Sequence, residues 1–404
     1  MAKKINTKFA LFALAATFFG IGVTEFISVG VLPAVAKEFS LSSGTAGLIT
    51  TIYALGVALG APVLTLLTAG IPKKKVIVSA IIVFVLGHLL IAGAPTFGLV
   101  LLGRFVAGAA HGLLFALSST IAAALVGPSK QTSAIAYIFG GFPIATAIGA
   151  PLGTSVSDIM GWRIPFLLIA LLGMIALALN LLALPKMEEK NTAKPSLRTQ
   201  LSVFTQKHLM LTLIVTILGY GGTFATFTYL SLIVQQVTGV SKAATPLVLL
   251  VYGVAIAAGN SLGGRLGGRK PVETLLAIFA VQAVALFAFY FSSVNLLLTM
   301  VNIVVLGLLA FMSVPLLQSY ILSLAGSYRP EAIEMASSLN ITAFNLGIVL
   351  GSFVGGQAIA YFNLRATAAA AGIMVVLAVL LALVVAKLEN GRQALLALDN
   401  GELA

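Results

Sequence analysis

The stretch 20–39, GIGVTEFISVGVLPAVAKEF, decides how this chain is read. It sets a carboxylate, Glu25, inside a run that is otherwise uncharged and mostly apolar from Phe9 to Ala36. Such a run exceeds the ~20 residues that cross a bilayer as a helix. A charge at that depth is costly to keep, which makes Glu25 a functional candidate. The N-terminus, MAKKINTKFALFALAATFFG, has the basic start and apolar run of a signal peptide. The run continues to Ala36 without a small-x-small stop, so it is read as a retained first span.

The rest of the chain has the same character. It is 60% hydrophobic and 8% charged over 404 residues, whereas soluble domains carry about 25% charged residues. No soluble fold of this size buries so much apolar surface. Long runs without alternation exclude a β-barrel. Cysteine is absent, so disulfides are excluded. The expectation is an all-α polytopic membrane protein.

Hydropathy predicts twelve transmembrane helices, at 9–34, 44–68, 76–93, 97–126, 132–156, 163–184, 209–235, 244–263, 272–291, 295–323, 335–360 and 366–387. Connections are short except for the polar linker 185–208, which divides an N-terminal six-helix bundle (1–184) from a C-terminal one (209–404). With the N-terminus in the cytoplasm, 18 of the 23 Lys and Arg fall on the cytoplasmic side. Only Lys37, Arg163, Lys242 and Arg365 fall opposite, and Arg104 lies within span 4. The positive-inside rule then puts both termini in the cytoplasm. The net charge of +12 is a topology signal facing anionic lipid, not a nucleic-acid surface.

The halves repeat. Tyr53 and Gly60 recur as Tyr252 and Gly259, and Gly149, Gly153 and Arg163 recur as Gly351, Gly355 and Arg365. Two pseudo-symmetric bundles in parallel repeat are a transporter architecture, with the substrate near the midplane between them.

Several motifs together carry a family resemblance. They are Thr24-Glu25-Phe26 and Gly30-Val-Leu-Pro33 in span 1; Tyr53-Ala-Leu-Gly-Val-Ala-Leu-Gly-Ala-Pro62 in span 2; and Gly103-Arg104 with His111-Gly112 in span 4. The second half adds Gly259-Asn260, Gly263-Gly264-Arg265 and Ala343-Phe344-Asn345-Leu346-Gly347. The chain resembles the major facilitator superfamily in its drug:proton antiporter branch, most of all the sugar-efflux and arabinose-efflux-type permeases. The resemblance implies a proton-coupled exporter of a sugar, a nucleoside or a drug-like compound, working by alternating access in a bacterial-type inner membrane. It also places spans 1 and 4 side by side along a central cavity. Two departures stand out. The loop between spans 2 and 3 lacks the family's acid and reads Leu66-Leu-Thr-Ala-Gly-Ile-Pro-Lys73-Lys-Lys75. Span 5 reads Gly149-Ala-Pro151-Leu-Gly153-Thr154 rather than ending in paired glycines.

Three residues are the proton-coupling candidates: Glu25, Arg104 and His111. Glu25 lies about 24 Å along span 1 at 1.5 Å per residue, and Arg104 about 10 Å into span 4 from the other side, so their depths are compatible. Arg104 is expected to pair with Glu25 in one state and release it in the other; the alternative is an arginine that ties helices together through backbone carbonyls. His111 is two turns beyond Arg104 on nearly the same face, and imidazole suits a relay. His88 is read as structural. Thr51, Tyr53, Tyr137, Tyr229, Tyr252, Gln318, Asn340 and Asn345 are the substrate-binding candidates, being the polar groups available to an otherwise apolar site. Pro143, Pro151 and Pro315 lie inside spans and are expected to bend them.

Nothing points to an enzyme. Gly263-Gly-Arg-Leu-Gly-Gly-Arg-Lys270 lacks the Lys-Ser/Thr of a phosphate loop, and no residues have metal-ligand spacing. No cofactor is expected beyond the proton gradient, and the partners are a small solute, protons and lipid, with the chain working as a monomer. The rival readings are a proton-symport importer of the same fold and a non-transporting membrane scaffold or sensor.

Overall fold

The computed structural model describes residues 6–41, 43–46, 48–185, 196–241, 244–267 and 270–399. Part of the predicted linker, 186–195, lies outside them. The first half comprises α1 (Thr7–Glu38), α2 (Ser43–Ala46), α3 (Leu48–Thr68), α4 (Lys73–Ala92), α5 (Phe97–Ala124), α6 (Gln131–Phe139), α7 (Gly141–Met160) and α8 (Arg163–Ala183). A short helix, α9 (Leu197–Leu201), leads into the second half. That half comprises α10 (Lys207–Phe227), α11 (Leu230–Gln236), α12 (Thr245–Leu266), α13 (Pro271–Ser292), α14 (Leu296–Tyr328), α15 (Ile333–Tyr361) and α16 (Ala366–Asp399).

Among the described residues, 11 helices are long and apolar enough to cross a membrane. The span predicted at 132–156 is instead the pair α6 and α7, broken at Gly140. The cause is in the sequence: Pro143 has no N–H to bond the carbonyl of Phe139, where α6 ends. Pro315 has a milder effect, since α14 runs through it unbroken. Gly161, with φ +88°, supplies the left-handed turn between α7 and α8.

The two halves are built alike. In the first, α3 packs on α5 and α1 on α7; in the second, α12 packs on α14 and α10 on α15. The α3–α5 contact is close because Gly56 and Gly60 face the backbone of Phe105 and Ala109. Gly259 and Gly263 face the backbone of Leu308 and Met312 in the same way. Any side chain there would meet a carbonyl, so small residues are what let these helices touch. The repeat-matched arginines also share a task. Arg163 donates to the carbonyl of Ala94 (3.0 Å) and Arg365 to that of Tyr290 (2.8 Å), each fastening the end of the third span of its half.

Arg163 also pairs with Glu38 at 2.7 Å, and the indole N–H of Trp162 donates to the same carboxylate at 2.7 Å. The Trp162 bond, aided by Arg163 and opposed by partial burial, holds the Glu38 carboxyl below its ordinary 4.5. A depressed carboxyl stabilises the fold above the unfolded value and loses that contribution as pH falls through the folded one. Glu38→Gln is therefore expected to lower the melting temperature at pH 7. The gap from wild type should close as pH is taken below about 4.5, as thermal unfolding across a pH series reads out.

The halves meet mainly at the end that holds the start of α1. There Lys73 bridges to Glu334 at 2.9 Å. Thr132 donates to Ser319 Oγ (2.8 Å), Ser133 to the carbonyl of Gly264 (2.7 Å) and Asn260 to that of Ala136 (2.8 Å). Ser337 donates to the carbonyl of Ala116 (2.9 Å), and Thr342, nearer the middle, to that of Ala58 (3.0 Å). At the opposite end, the side-chain bonds of Arg163 and Arg365 stay within their own halves. Lys73 thus supplies a base from the 66–75 stretch to an acid in the first turn of α15.

Candidate functional site

Arg104 on α5 is fully buried. Its Nε donates to the carbonyl of Ile49 (3.1 Å). Its Nη1 donates to Thr24 Oγ1 (3.2 Å) and, more weakly, to the Thr24 carbonyl (3.4 Å). The guanidinium lies 3.9 Å above the centre of the Tyr53 ring, a cation–π contact. One nitrogen, Nη2, has no hydrogen-bond partner among the described residues.

The neighbouring histidines complete this hub. His88 Nδ1 bonds the carbonyl of Phe84 (2.8 Å). In the neutral ring that nitrogen must carry the hydrogen, so Nε2 accepts from the Thr24 hydroxyl. His88 is structural, as its sequence context implies. His111 Nδ1 shares a hydrogen bond with the Tyr53 hydroxyl (2.9 Å). One continuous network therefore joins α1, α3, α4 and α5.

Glu25 follows Thr24 but is not part of that network. It makes no hydrogen bond or ion pair among the described residues, and Arg104 is engaged elsewhere. The Glu25–Arg104 pair expected in one state is not formed in this conformation, in which the arginine ties helices through Thr24 and Ile49. Glu25 instead lines a central cavity of about 70 Å³ between the halves.

That cavity is largely aromatic. The first half contributes Glu25, His111, Phe115, Phe139 and Phe142; the second contributes Tyr220, Phe311, Val314, Ile341, Phe344, Asn345 and Ile348. Phe142 and Phe311 stack across the halves at 6.4 Å. Tyr220 packs on Phe344 (4.9 Å) and Phe311 (5.8 Å). Glu25 is the one lining residue with a full charge.

The sequence candidates divide. Glu25, His111 and Asn345 line the cavity, and Tyr53 and Arg104 stand behind it. The others fall elsewhere. Gln318 and Asn340 are fully buried and serve a chain of bonds between helices: Thr216 donates to Asn340 (2.9 Å), Asn340 to Gln318 (2.7 Å) and Gln318 to Ser337 (2.8 Å). Ser337 carries that chain across to the other half. Tyr229 donates to the carbonyl of Ser352 (2.8 Å). Thr51 is exposed and lies about 200° around α3 from Tyr53, at 3.6 residues per turn. Tyr137 is 52% exposed. Neither Thr51 nor Tyr137 lines the cavity, and Tyr252 lines a different one. Sequence reasoning missed Tyr220 and the phenylalanines, because an apolar aromatic in a span is equally at home against lipid.

Comparison with known proteins agrees with this architecture. The family described as the Major Facilitator Superfamily matches residues 14–333. A Bacillus subtilis (strain 168) protein named as an MFS-type transporter, YtbD, is 43% identical over 92% of this chain and 94% of its own length. A Streptomyces lividans protein named "chloramphenicol resistance protein" is 30% identical, over 87% of this chain and 89% of its own. A Mannheimia succiniciproducens protein named "probable sugar efflux transporter" is 28% identical over 88% of each. Among solved structures, FucP in the outward conformation superposes with a TM-score of 0.77 at 16% identity, covering 93% of this chain and 98% of that one.

Proposed function

Because the chain belongs to the major facilitator superfamily, and is thus a membrane transporter rather than an enzyme, we propose that it exports an aromatic, lipophilic small molecule in exchange for protons. The observation that carries this reading is Glu25, the sole charged group on the wall of an aromatic cavity between two repeated halves. A carboxylate without a hydrogen-bond partner is free to take a proton or to face a cationic substrate. Arg104 keeps one unpartnered nitrogen, so a small rearrangement of α1 would let it hold Glu25 ionised in another state.

The lining also bears on substrate class. A sugar presents hydroxyls around its whole ring and calls for a matching set of polar partners, each left costly if unmet. Here Glu25, His111, Tyr220 and Asn345 supply polar atoms, against five phenylalanines and three aliphatic residues. Flat apolar rings suit aromatic substrates, and a cation among them gains from the ring faces. The relative named for chloramphenicol resistance agrees with this more closely than the one named for sugar efflux.

With both termini in the cytoplasm, the joined end of the halves faces inward and the conformation is outward-facing. The Lys73–Glu334 bridge then acts as an inner latch. Both side chains are partly exposed, so the pair contributes about 1 kcal/mol at most, which corresponds to about a fivefold shift in a two-state population. Glu334→Gln should move the protein towards inner-end opening by that order. Spin labels on Ser129→Cys and Ser327→Cys would read it as a longer-distance population. The chain has no native cysteine to interfere.

The transport reading is tested in proteoliposomes under an imposed pH gradient, screening ethidium as an aromatic cation, chloramphenicol as a neutral aromatic and arabinose as a sugar. Proton-driven movement of the aromatic compounds without arabinose supports it. Arabinose transport alone would overturn the substrate class, and solute and protons moving in the same direction would favour the importer.

A further inference from the structure

The second half contains a cavity of its own, away from the central one. Thr223, Tyr252, Gln282 and Ile303 lie on its wall with Phe227, and it holds about 20 Å³ of space. Gln282 is 2% exposed. Its amide nitrogen donates to Thr223 Oγ1 (2.8 Å), but its Oε1 is buried without a hydrogen-bond partner. The Tyr252 hydroxyl makes no hydrogen bond among the described residues either, although its ring is fixed by stacking on Phe227 at 5.0 Å.

Internal symmetry shows where this cavity stands. Adding 199 to Thr24, Tyr53 and Arg104 gives Thr223, Tyr252 and Ile303. In the first half the Arg104 guanidinium covers the Tyr53 ring and donates to Thr24. The second half keeps the threonine and the tyrosine, but a short branched aliphatic chain stands in the arginine's place. The cavity lies among these three residues.

We infer that this cavity is a binding site for one water molecule, the neutral counterpart of the Arg104 guanidinium, bridging Gln282 Oε1 and the Tyr252 hydroxyl. Its size fits, since about 10–15 Å³ on this measure admits a water. Its polarity fits as well. A buried water takes two to four polar partners, and Gln282, Tyr252, Thr223 and Thr226 are the polar residues that line the space. A buried acceptor left unmet is costly, so Gln282 gives the water a reason to stay. A cation is a poorer occupant, because no carboxylate lines the cavity to offset its desolvation. The water ties α10, α12 and α13 together, as the arginine ties α1, α3 and α5.

Two measurements test this. A density map of the full-length protein at a resolution that shows waters should hold one peak at about 2.8 Å from both Gln282 Oε1 and Tyr252 Oη. A cavity without density, or a peak held at shorter cation–oxygen distances by several oxygens, overturns the assignment. The second is a double-mutant cycle on thermal stability with Gln282→Leu and Tyr252→Phe. The two side chains share no direct hydrogen bond, and a water held by both predicts that Tyr252→Phe adds no further loss once Gln282 is gone. The double variant should then lose no more in melting temperature than the worse single variant. A loss equal to the sum of the two would overturn the bridge.

Discussion

Glu25→Gln is expected to abolish accumulation driven by a pH gradient while substrate counterflow at equal pH continues. Glutamine keeps the size and polarity of the side chain and loses only the ability to take and release a proton. No second carboxylate lines the central cavity to replace it, and His111 is already bonded to Tyr53 through Nδ1. Concentrative transport should therefore fall to background. The measurement is transport of the identified substrate in proteoliposomes with and without the gradient. Full concentrative transport by the variant would remove Glu25 from the coupling step. Loss of counterflow as well would move its role from the proton to the substrate.

Arg104→Ala should cause a large loss of stability. The side chain is fully buried and serves the Ile49 carbonyl and Thr24 at once. Each buried acceptor left behind costs about 1–3 kcal/mol, and the space left by the guanidinium adds a cavity. Several kcal/mol is a large share of a total stability of about 5–15 kcal/mol. Arg104→Lys should fall between Ala and wild type. A lysine ammonium is a single point on a flexible stem and cannot donate to Ile49 and Thr24 while covering the Tyr53 ring. Melting temperatures of the purified variants check the order, and a wild-type value for Arg104→Ala would contradict the network.

The spans were legible because twenty apolar residues have few ways to satisfy their backbone in lipid other than a helix. The repeat was legible from Tyr53, Tyr252 and the two arginines, since a matched offset survives even where most residues differ. The break at Gly140 was less so: Pro143 marked a bend, but whether a proline kinks a helix or parts it depends on what packs around it, and Pro315 shows the milder outcome. Glu25 and His111 stood out as polar groups in apolar runs. The phenylalanines of the cavity did not, because lipid and a lipophilic pocket select the same side chains. Gln318 and Asn340 carry the opposite ambiguity. A polar group inside a bundle can serve a solute or another helix equally well, and here both serve helices.

The position of Thr24 one residue before Glu25 has a mechanical meaning. Successive side chains on a helix point about 100° apart, so fixing the direction of one fixes that of the next. Arg104 and His88 both grip the Thr24 hydroxyl and so set the angle of α1 about its own axis. Glu25 is thereby aimed into the cavity without any bond of its own. Turning α1 far enough to withdraw the carboxylate must break the grip on Thr24. The torque that holds the helix and the accessibility of the Glu25 carboxylate are one variable, and a ligand that alters either alters both.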